Sequence, residues 1–273
     1  MGPRDVEDGL RLCRAASWNQ RAEDWQAMLA HGLFRVAVRD GRVVGSAGAL
    51  VYGRRLAWVA MVLVDPTERR QGIGTALVED VVSRLGHVEV VGLDATPAGA
   101  TVYAPLGFAD RGGLVRMERS AGAGALPAAA GDLRGPTTAD LDAIARRDPG
   151  VFGADRTSLL RWALDQAPEY TWARVGPQGL RGYVFGRHGH RTEQVGPLVA
   201  EDEDTAAALL AAVLAASPSS PFTLDAPDRA PWLDRLRGLG FEVQRPFRRM
   251  ILGGGARPGD TAVTYAVFGP ELG

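Results

Sequence analysis

The string Arg69-Arg70-Gln71-Gly72-Ile73-Gly74-Thr75 carries the most explicit chemistry in the chain. It follows an apolar strand predicted over 56–64 and Pro66, which has no backbone donor and stops a ladder. A helix predicted over 75–85 opens directly after it. Leu77, Val78, Val81, Val82 and Leu85 fall on one face of that helix, and Glu79, Asp80, Ser83 and Arg84 on the other. The first backbone N–H groups of a helix lack intrahelical acceptors, and together with the helix dipole they form a site for a diphosphate. Gly72 and Gly74 permit positive φ and a close approach of phosphate oxygens to the backbone. Arg69 and Arg70 can add charge-assisted contacts. The spacing is not the Rossmann fingerprint, because Leu77 stands where its third glycine would be. The Lys-Ser/Thr pair of a Walker A loop is absent as well.

The elements that must position this turn follow from periodicity. Helices are predicted over 5–16 and 22–30. Strands over 34–39 and 42–52 are joined by Asp40-Gly41, a strong hairpin signal. After the turn and its helix come a strand over 88–93, a short helix over 98–104 and a strand over 114–118. Antiparallel strands followed by strand–helix–strand give a mixed sheet with helices on its faces.

The second half repeats the plan. Strands are predicted over 171–175, 179–187 and 194–199, then a helix over 204–215. A strand over 222–225, a helix over 232–238, and strands over 242–252 and 261–268 follow. Short identities recur in the same order. Leu93-Asp94-Ala95 returns as Leu224-Asp225-Ala226 at an offset of 131, and Leu106-Gly107-Phe108 as Leu239-Gly240-Phe241 at 133. Arg116-Met117 returns as Arg249-Met250 at 133, and Leu63-Val64 as Leu198-Val199 at 135. Near-constant offsets point to a duplication. The small, uncharged stretch 120–131, interrupted by Pro127, has linker composition. We therefore expect a domain over 1–119, a linker over 120–131 and a second domain over 132–273.

The whole string Val64–x–Pro66–x–x–Arg69–x–x–Gly72–x–Gly74 resembles the acetyl-coenzyme A signature of the GNAT superfamily of N-acetyltransferases. Tyr103-Ala104-Pro105-Leu106-Gly107-Phe108 is similar to a second motif of that family. The resemblance covers roughly 34–118. With Trp18-Asn19-Gln20 early and Phe247-Arg248-Arg249-Met250 late, the chain also resembles a bacterial subgroup of two-domain GNAT proteins. It implies an α/β (α+β) protein of tandem GNAT-like folds, each a mixed, mostly antiparallel central sheet flanked by helices. It implies acetyl-CoA as acyl donor, held by Leu63, Val64, Arg69, Arg70, Gln71, Gly72, Ile73, Gly74 and Thr75. The strand ending at Val64 would splay from the one ending at Leu93, and the pantetheine arm would enter that gap. A backbone N–H near Val64 could polarise the thioester carbonyl. Tyr103 matches the family's frequent general acid, facing the cofactor sulfur; packing of a core tyrosine on Phe108 is the competing reading. Many members carry a glutamate on the strand that here reads Ala57-Trp58-Val59-Ala60-Met61-Val62-Leu63-Val64, without an acid. Asp94 is the nearest candidate base. Capping of the Thr96-Pro97 turn competes for it, and a water chain could serve instead.

The second half has lost this equipment. Its stretch from Leu198-Val199 to Leu224-Asp225 is four residues shorter than the counterpart, and Ala200-Glu201-Asp202-Glu203-Asp204 replaces the glycines and arginines. Carboxylates there suit the helix dipole and repel a diphosphate. Leu236 aligns with Tyr103. The second domain is thus expected to be degenerate and to shape the acceptor cleft, with Trp172, Tyr183, Phe185, Phe247 and Arg248 as candidates.

Composition excludes other classes. A formal charge of -1 gives no whole-chain field for nucleic acid or an anionic membrane. The single cysteine, Cys13, allows no intrachain disulfide, and with no cysteine near the motif we expect direct transfer without an acyl-enzyme. His188, His190 and Glu193 lie in a predicted hairpin loop with the histidines on opposite faces, so no metal site is expected. No signal peptide or membrane span is read, which makes the cytoplasm the default compartment. The leading expectation is an N-acetyltransferase acting on a small-molecule or peptide amine. A non-catalytic acetyl-CoA-binding sensor or interaction protein, and transfer of a longer acyl group, are the alternatives.

Overall fold

A computed structural model describes residues 1–124, 132–256 and 258–273. In chain order the helices are α1 (Val6–Ala15), α2 (Ala22–Ala30), α3 (Ile73–Ser83), α4 (Pro97–Tyr103), α5 (Thr138–Phe152), α6 (Thr157–Gln166), α7 (Glu203–Ala216) and α8 (Ala230–Gly238). The strands are β1 (Gly32–Arg39), β2 (Arg42–Tyr52), β3 (Leu56–Val64), β4 (Val90–Ala95), β5 (Phe108–Arg119), β6 (Leu133–Arg134), β7 (Trp172–Gly176), β8 (Gly179–Arg187), β9 (Glu193–Ala200), β10 (Phe222–Pro227), β11 (Phe241–Leu252) and β12 (Thr264–Ala266). Two compact units result: Met1–Arg111 with Arg248–Arg257 and Glu271–Gly273, and Gly112–Phe247 with Pro258–Pro270.

In the first unit the strand order is β1-β2-β3-β4-β11. The β1–β2 turn has Asp40 and Gly41 at φ 51° and 76°, the conformation that matches the twist of a two-residue hairpin. Helix α3 sets Leu77, Val78 and Val81 against Ala47, Ala49, Ala57, Val59 and Leu93 of the sheet. Each buried leucine or valine there contributes about 1.5–3 kcal/mol. In the second unit the order is β5-β10-β9-β8-β7-β6, with β12 added beside β9. Leu209, Leu210, Val213 and Leu214 of α7 pack there with Phe222, Leu224 and Trp232.

Neither β5 nor β11 closes the sheet of its own half. Leu114–Arg119 of β5 pairs antiparallel with β10 of the second unit. Arg248–Ile251 of β11 pairs antiparallel with β4 of the first. A cut through 120–131 therefore does not separate the two units, and 125–131 of that linker lies outside the described residues. Each exchanged strand brings a buried arginine to an aspartate of the sheet it joins. Arg249 binds Asp94 through two hydrogen bonds of 2.7 and 2.6 Å. Arg116 binds Asp225 the same way at 2.8 and 2.9 Å, with Gln194 adding a third bond of 3.0 Å. The repeated Leu-Asp-Ala and Arg-Met segments are thus partners across the exchange.

Helices α5 and α6 were not anticipated. Pro149 and Gly150 disguise the end of α5, although its start carries a capping box in which Thr137 and Asp140 cap each other's backbone N–H. Among the described residues no helix is long and apolar enough to cross a membrane.

Both exchange pairs are buried, so removing one partner strands the other charge. We expect Arg249→Ala and Arg116→Ala each to lower unfolding free energy by about 3–5 kcal/mol in urea titrations. A loss below about 1 kcal/mol would show that the pairs do not hold the exchanged strands.

Candidate functional site

The mouth of α3 is open. Gly72 is its N-cap at φ 77° and ψ -3°, and among the described residues no side chain caps the helix. The first intrahelical bond runs from the Ala76 N–H to the Gly72 carbonyl at 2.9 Å. The amides of Ile73, Gly74 and Thr75 therefore head the helix, which begins two residues earlier than predicted because the left-handed Gly72 turns the chain into it. Gly72 is exposed, and Ile73, Gly74 and Thr75 are half-buried. Arg69 and Arg70 are exposed beside them. The Arg69 Nε donates to the Val64 carbonyl at 3.2 Å. Arg70 has φ 63°, a left-handed conformation rare for a residue with a side chain. The Gln71 amide is tied to Glu68 at 3.1 Å and accepts from Arg39 at 2.9 Å, and Arg39 also pairs with Glu68.

Asp65 anchors the turn from below, a role the sequence reading missed although Asp-Pro-Thr is a helix-start signal. Its carboxylate accepts from the Thr67 hydroxyl and amide at 2.8 and 3.2 Å, and from Arg11 and Arg42 at 2.9 and 3.0 Å. The Thr67 hydrogen bonds first, then those arginines, hold its carboxyl below the usual range.

Beside the turn, β3 and β4 part. They pair in parallel only from Leu56↔Val90 to Trp58↔Gly92. Past that point β4 pairs with β11, and the edge of β3 from Val59 to Val64 has no β4 partner. Between Ser46↔Leu63 and Gly48↔Ala60, β3 uses three residues where β2 uses two. The extra residue makes a bulge, with Met61 at φ 54° and the Ser46 hydroxyl donating to its carbonyl at 2.8 Å. Bulges re-aim backbone groups out of a ladder. Leu63 is buried and Val64 half-buried; the Val64 Cγ2 lies 3.5 Å from where a Cβ on Gly74 would stand.

Tyr103 ends α4, half-buried, with its ring edge-on to Phe108 at 6.1 Å between centroids. Packing on Phe108 is therefore present. Among the described residues its hydroxyl has no hydrogen-bond partner, and burial pushes its pKa to about 12. Asp94 is a correction. Both its oxygens are held by Arg249 and its side chain is fully buried; in the turn that follows, the Thr96 hydroxyl caps the Gly99 N–H. Such a carboxylate is not placed to take a proton from an amine. Cys13 is buried on α1, and burial pushes its thiol up to about 12.

With this geometry in view, the chain matches the acetyltransferase (GNAT) family over residues 5–108 and an acetyltransferase (GNAT) domain over 144–266. The chain belongs to the GNAT superfamily. It is a tandem member, one match per half. It is 26% identical over 235 residues to "Uncharacterized N-acetyltransferase YitH" of Bacillus subtilis (strain 168), covering 85% of this chain and 83% of that protein. A candidate acetyltransferase of Pyrococcus horikoshii has a similar fold, with TM-score 0.81 and 18% identity over 99% of this chain and 93% of that one. A tandem GNAT protein from the clavulanic acid biosynthesis pathway gives TM-score 0.63 and 20% identity, covering 93% and 96%.

The two GNAT halves differ at the helix mouth. In the second, Asp202 caps α7 by accepting from the Thr205 N–H at 2.7 Å, a bond that leads in holding its carboxyl below the usual range. Glu203 and Asp204 fill the first turn. The acceptor candidates need correction too. Tyr183 and Phe185 are core residues, and Tyr183 donates to Asp148 at 2.6 Å. Phe247 is buried with the guanidinium groups of Arg116 and Arg245 both against its ring, and Arg248 pairs with Asp110. Trp172 is half-buried, with its indole N–H donating to the Glu169 carbonyl. Of the early motif, Gln20 is buried and Trp18 and Asn19 are half-buried. His188 contacts Glu193 and Glu169 through its two ring nitrogens.

Because the folded pKa of Asp65 is depressed, its stabilisation is present above about pH 4 and is lost as pH falls through the folded value. Asp65→Asn should cost about 1–3 kcal/mol at pH 7, the scale of hydrogen bonds to a charged group. The gap from wild type should shrink on acidification in thermal melts, and a gap constant down to pH 2.5 would contradict the assignment.

Proposed function

We propose that the first unit moves an acetyl group from acetyl-CoA directly to a primary amine of a small molecule or peptide. The observation that carries this reading is the uncapped mouth of α3 beside the bulged, unpaired edge of β3. The amides of Gly72 to Thr75, with Arg69 and Arg70, suit a diphosphate. The edge of β3 from Met61 to Val64, which has no β4 partner, suits the amide arm of a pantetheine chain, and one N–H there can meet the thioester oxygen where charge develops.

In the transfer, the amine nitrogen attacks the thioester carbon, the carbon–sulfur bond breaks, and the departing sulfur takes a proton. Tyr103 stays protonated across the neutral range, which suits a donor. An unperturbed thiol has a pKa of about 8.5, so donation from a phenol near 12 requires that the sulfur be desolvated alongside it. No acid on β3 and an engaged Asp94 leave the amine to lose its proton to water. A buried, protonated Cys13 fits direct transfer without an acyl-enzyme.

The same lack of a base supports a second reading, an acetyl-CoA-binding sensor without catalysis. Free-thiol release against a panel of amines separates them: stimulation by an amine supports transfer, while tight binding with no stimulation supports the sensor. Gly74→Glu should abolish coenzyme binding with the fold intact, because a Cβ there meets only Val64 at 3.5 Å while its carboxylate would face the diphosphate. Tyr103→Phe should lower kcat by about a hundredfold with KM little changed. An unchanged kcat would remove Tyr103 from the reaction.

A further inference from the structure

We infer that the second unit keeps a parted-strand cleft like that of the first, and that the chain's own segment 261–268 is its permanent occupant, leaving one acyl-donor site per chain. The inference rests on reading the first unit's cleft as that donor site. The second unit repeats the geometry closely. Strands β9 and β10 pair in parallel for only three residues, Glu193–Val195 against Phe222–Leu224. Between Val184↔Leu198 and Gly186↔Val195, β9 uses three residues where β8 uses two. This bulge falls at Gly196-Pro197, which the offset of 135 equates with Met61-Val62.

In the first unit the edge of β3 beyond its bulge lacks a partner on β4. In the second, one segment meets both parted strands. Strand β12 pairs antiparallel with β9 through Thr264↔Val199 and Ala266↔Leu198, and the Ala200 N–H donates to the Val263 carbonyl at 3.0 Å. On the other side the Val267 N–H donates to the Asp225 carbonyl at 3.0 Å. The approach is so close that a Cβ on Gly196 would stand 1.9 Å from the Val267 oxygen, so only glycine fits. Backbone amides of 261–268 thus take the edges that a linear amide arm would need.

The surrounding side chains have been turned to the same purpose. Helix α8 corresponds to α4, which carries Tyr103. Here it gives Trp232, whose indole N–H donates to the Tyr265 carbonyl at 2.8 Å with the rings edge-on at 5.0 Å. Arg229, just before α8, donates to the Ala262 carbonyl at 2.8 Å and to that of Thr264, and lies over the Tyr265 ring. Tyr265, Ala266, Val267 and Phe268 are buried. The helix mouth that would take the diphosphate is closed by Asp202 and followed by two more acids. Backbone pairing, a glycine contact, two clamping side chains and a capped helix all describe a resident strand.

Hydrogen exchange of the full chain, with and without saturating coenzyme A, tests this alongside calorimetric titration. The inference expects the Ala200 and Val267 amides to exchange within about tenfold of the slowest amides of β9, as core pairs do. Coenzyme should leave 193–200 and 261–268 unchanged and bind one molecule per chain. Trp232→Phe should speed exchange across 261–268 without adding a second bound molecule. Two molecules per chain, coenzyme-induced protection or deprotection at 193–200 or 261–268, or fast exchange of Ala200 and Val267 in the free protein would each overturn it. If wild type binds no coenzyme at all, the donor reading of the first unit fails, while the exchange of Ala200 and Val267 still decides whether the segment is resident.

Discussion

The first unit depends on the parting of β3 from β4 at Trp58 and Gly92. A Cβ on Gly92 would stand 2.4 Å from the Trp58 ring and 2.9 Å from Ile251, so the indole crosses the strand only because glycine is there. The Arg249 guanidinium lies 4.5 Å from the Trp58 ring centroid while it grips Asp94 with both arms. On its other edge β4 pairs with β11 from Gly92 to Ala95, while its pairing with β3 ends at Gly92. Strand β3 then runs on with one edge unpaired, and the Met61 bulge turns its backbone further from the ladder. Backbone N–H and C=O groups left that way in a cleft demand a partner. The uncapped amides of α3 stand at the end of the same strand, where Asp65 fixes the turn to α1 and β2 through Arg11 and Arg42. The proposed place for an extended amide chain ending in a diphosphate rests on these constraints together.

The duplicated half solves the same demand differently. Its strands part after the same number of paired residues and its sheet strand is bulged at the equivalent place. The exposed edges are satisfied by polypeptide, and the helix mouth by a carboxylate. One fold thus appears twice in the chain, with its backbone vacancy left open in one copy and covered in the other. The exchange of β5 and β11 binds the copies' histories together, since each sheet includes a strand and an arginine encoded in the opposite half.

Much of this was legible in the residues. The turn from Arg69 to Gly74, the αβ order around it and the duplication could be read because they are local or periodic signals. The change of charge at 200–204, with acids in place of glycines and arginines, was equally plain, since charge needs no tertiary context. What escaped was tertiary. Asp94 looked like a base because nothing in the sequence says that Arg249, 155 positions away, binds it. The exchange was invisible because β5 and β11 carry the same Arg-Met signature. Tyr183 and Phe185 looked like cleft aromatics, but strand alternation alone does not tell a buried face from a cleft wall. The Met61 bulge has no marker in Ala60-Met61-Val62, and the covering role of 261–268 depends on Gly196, which reads alone as an ordinary glycine before proline. Helix α5 was hidden by Pro149 even though its capping box was in plain sight.

Backbone amide NMR during a coenzyme A titration tests the central claim most directly, because it observes the groups said to do the binding. The account predicts that the largest shifts fall on Gly72 to Thr75, with a second set on Met61 to Val64, and that both saturate together. Shifts centred elsewhere, with the amides at the head of α3 unmoved at saturation, would contradict it.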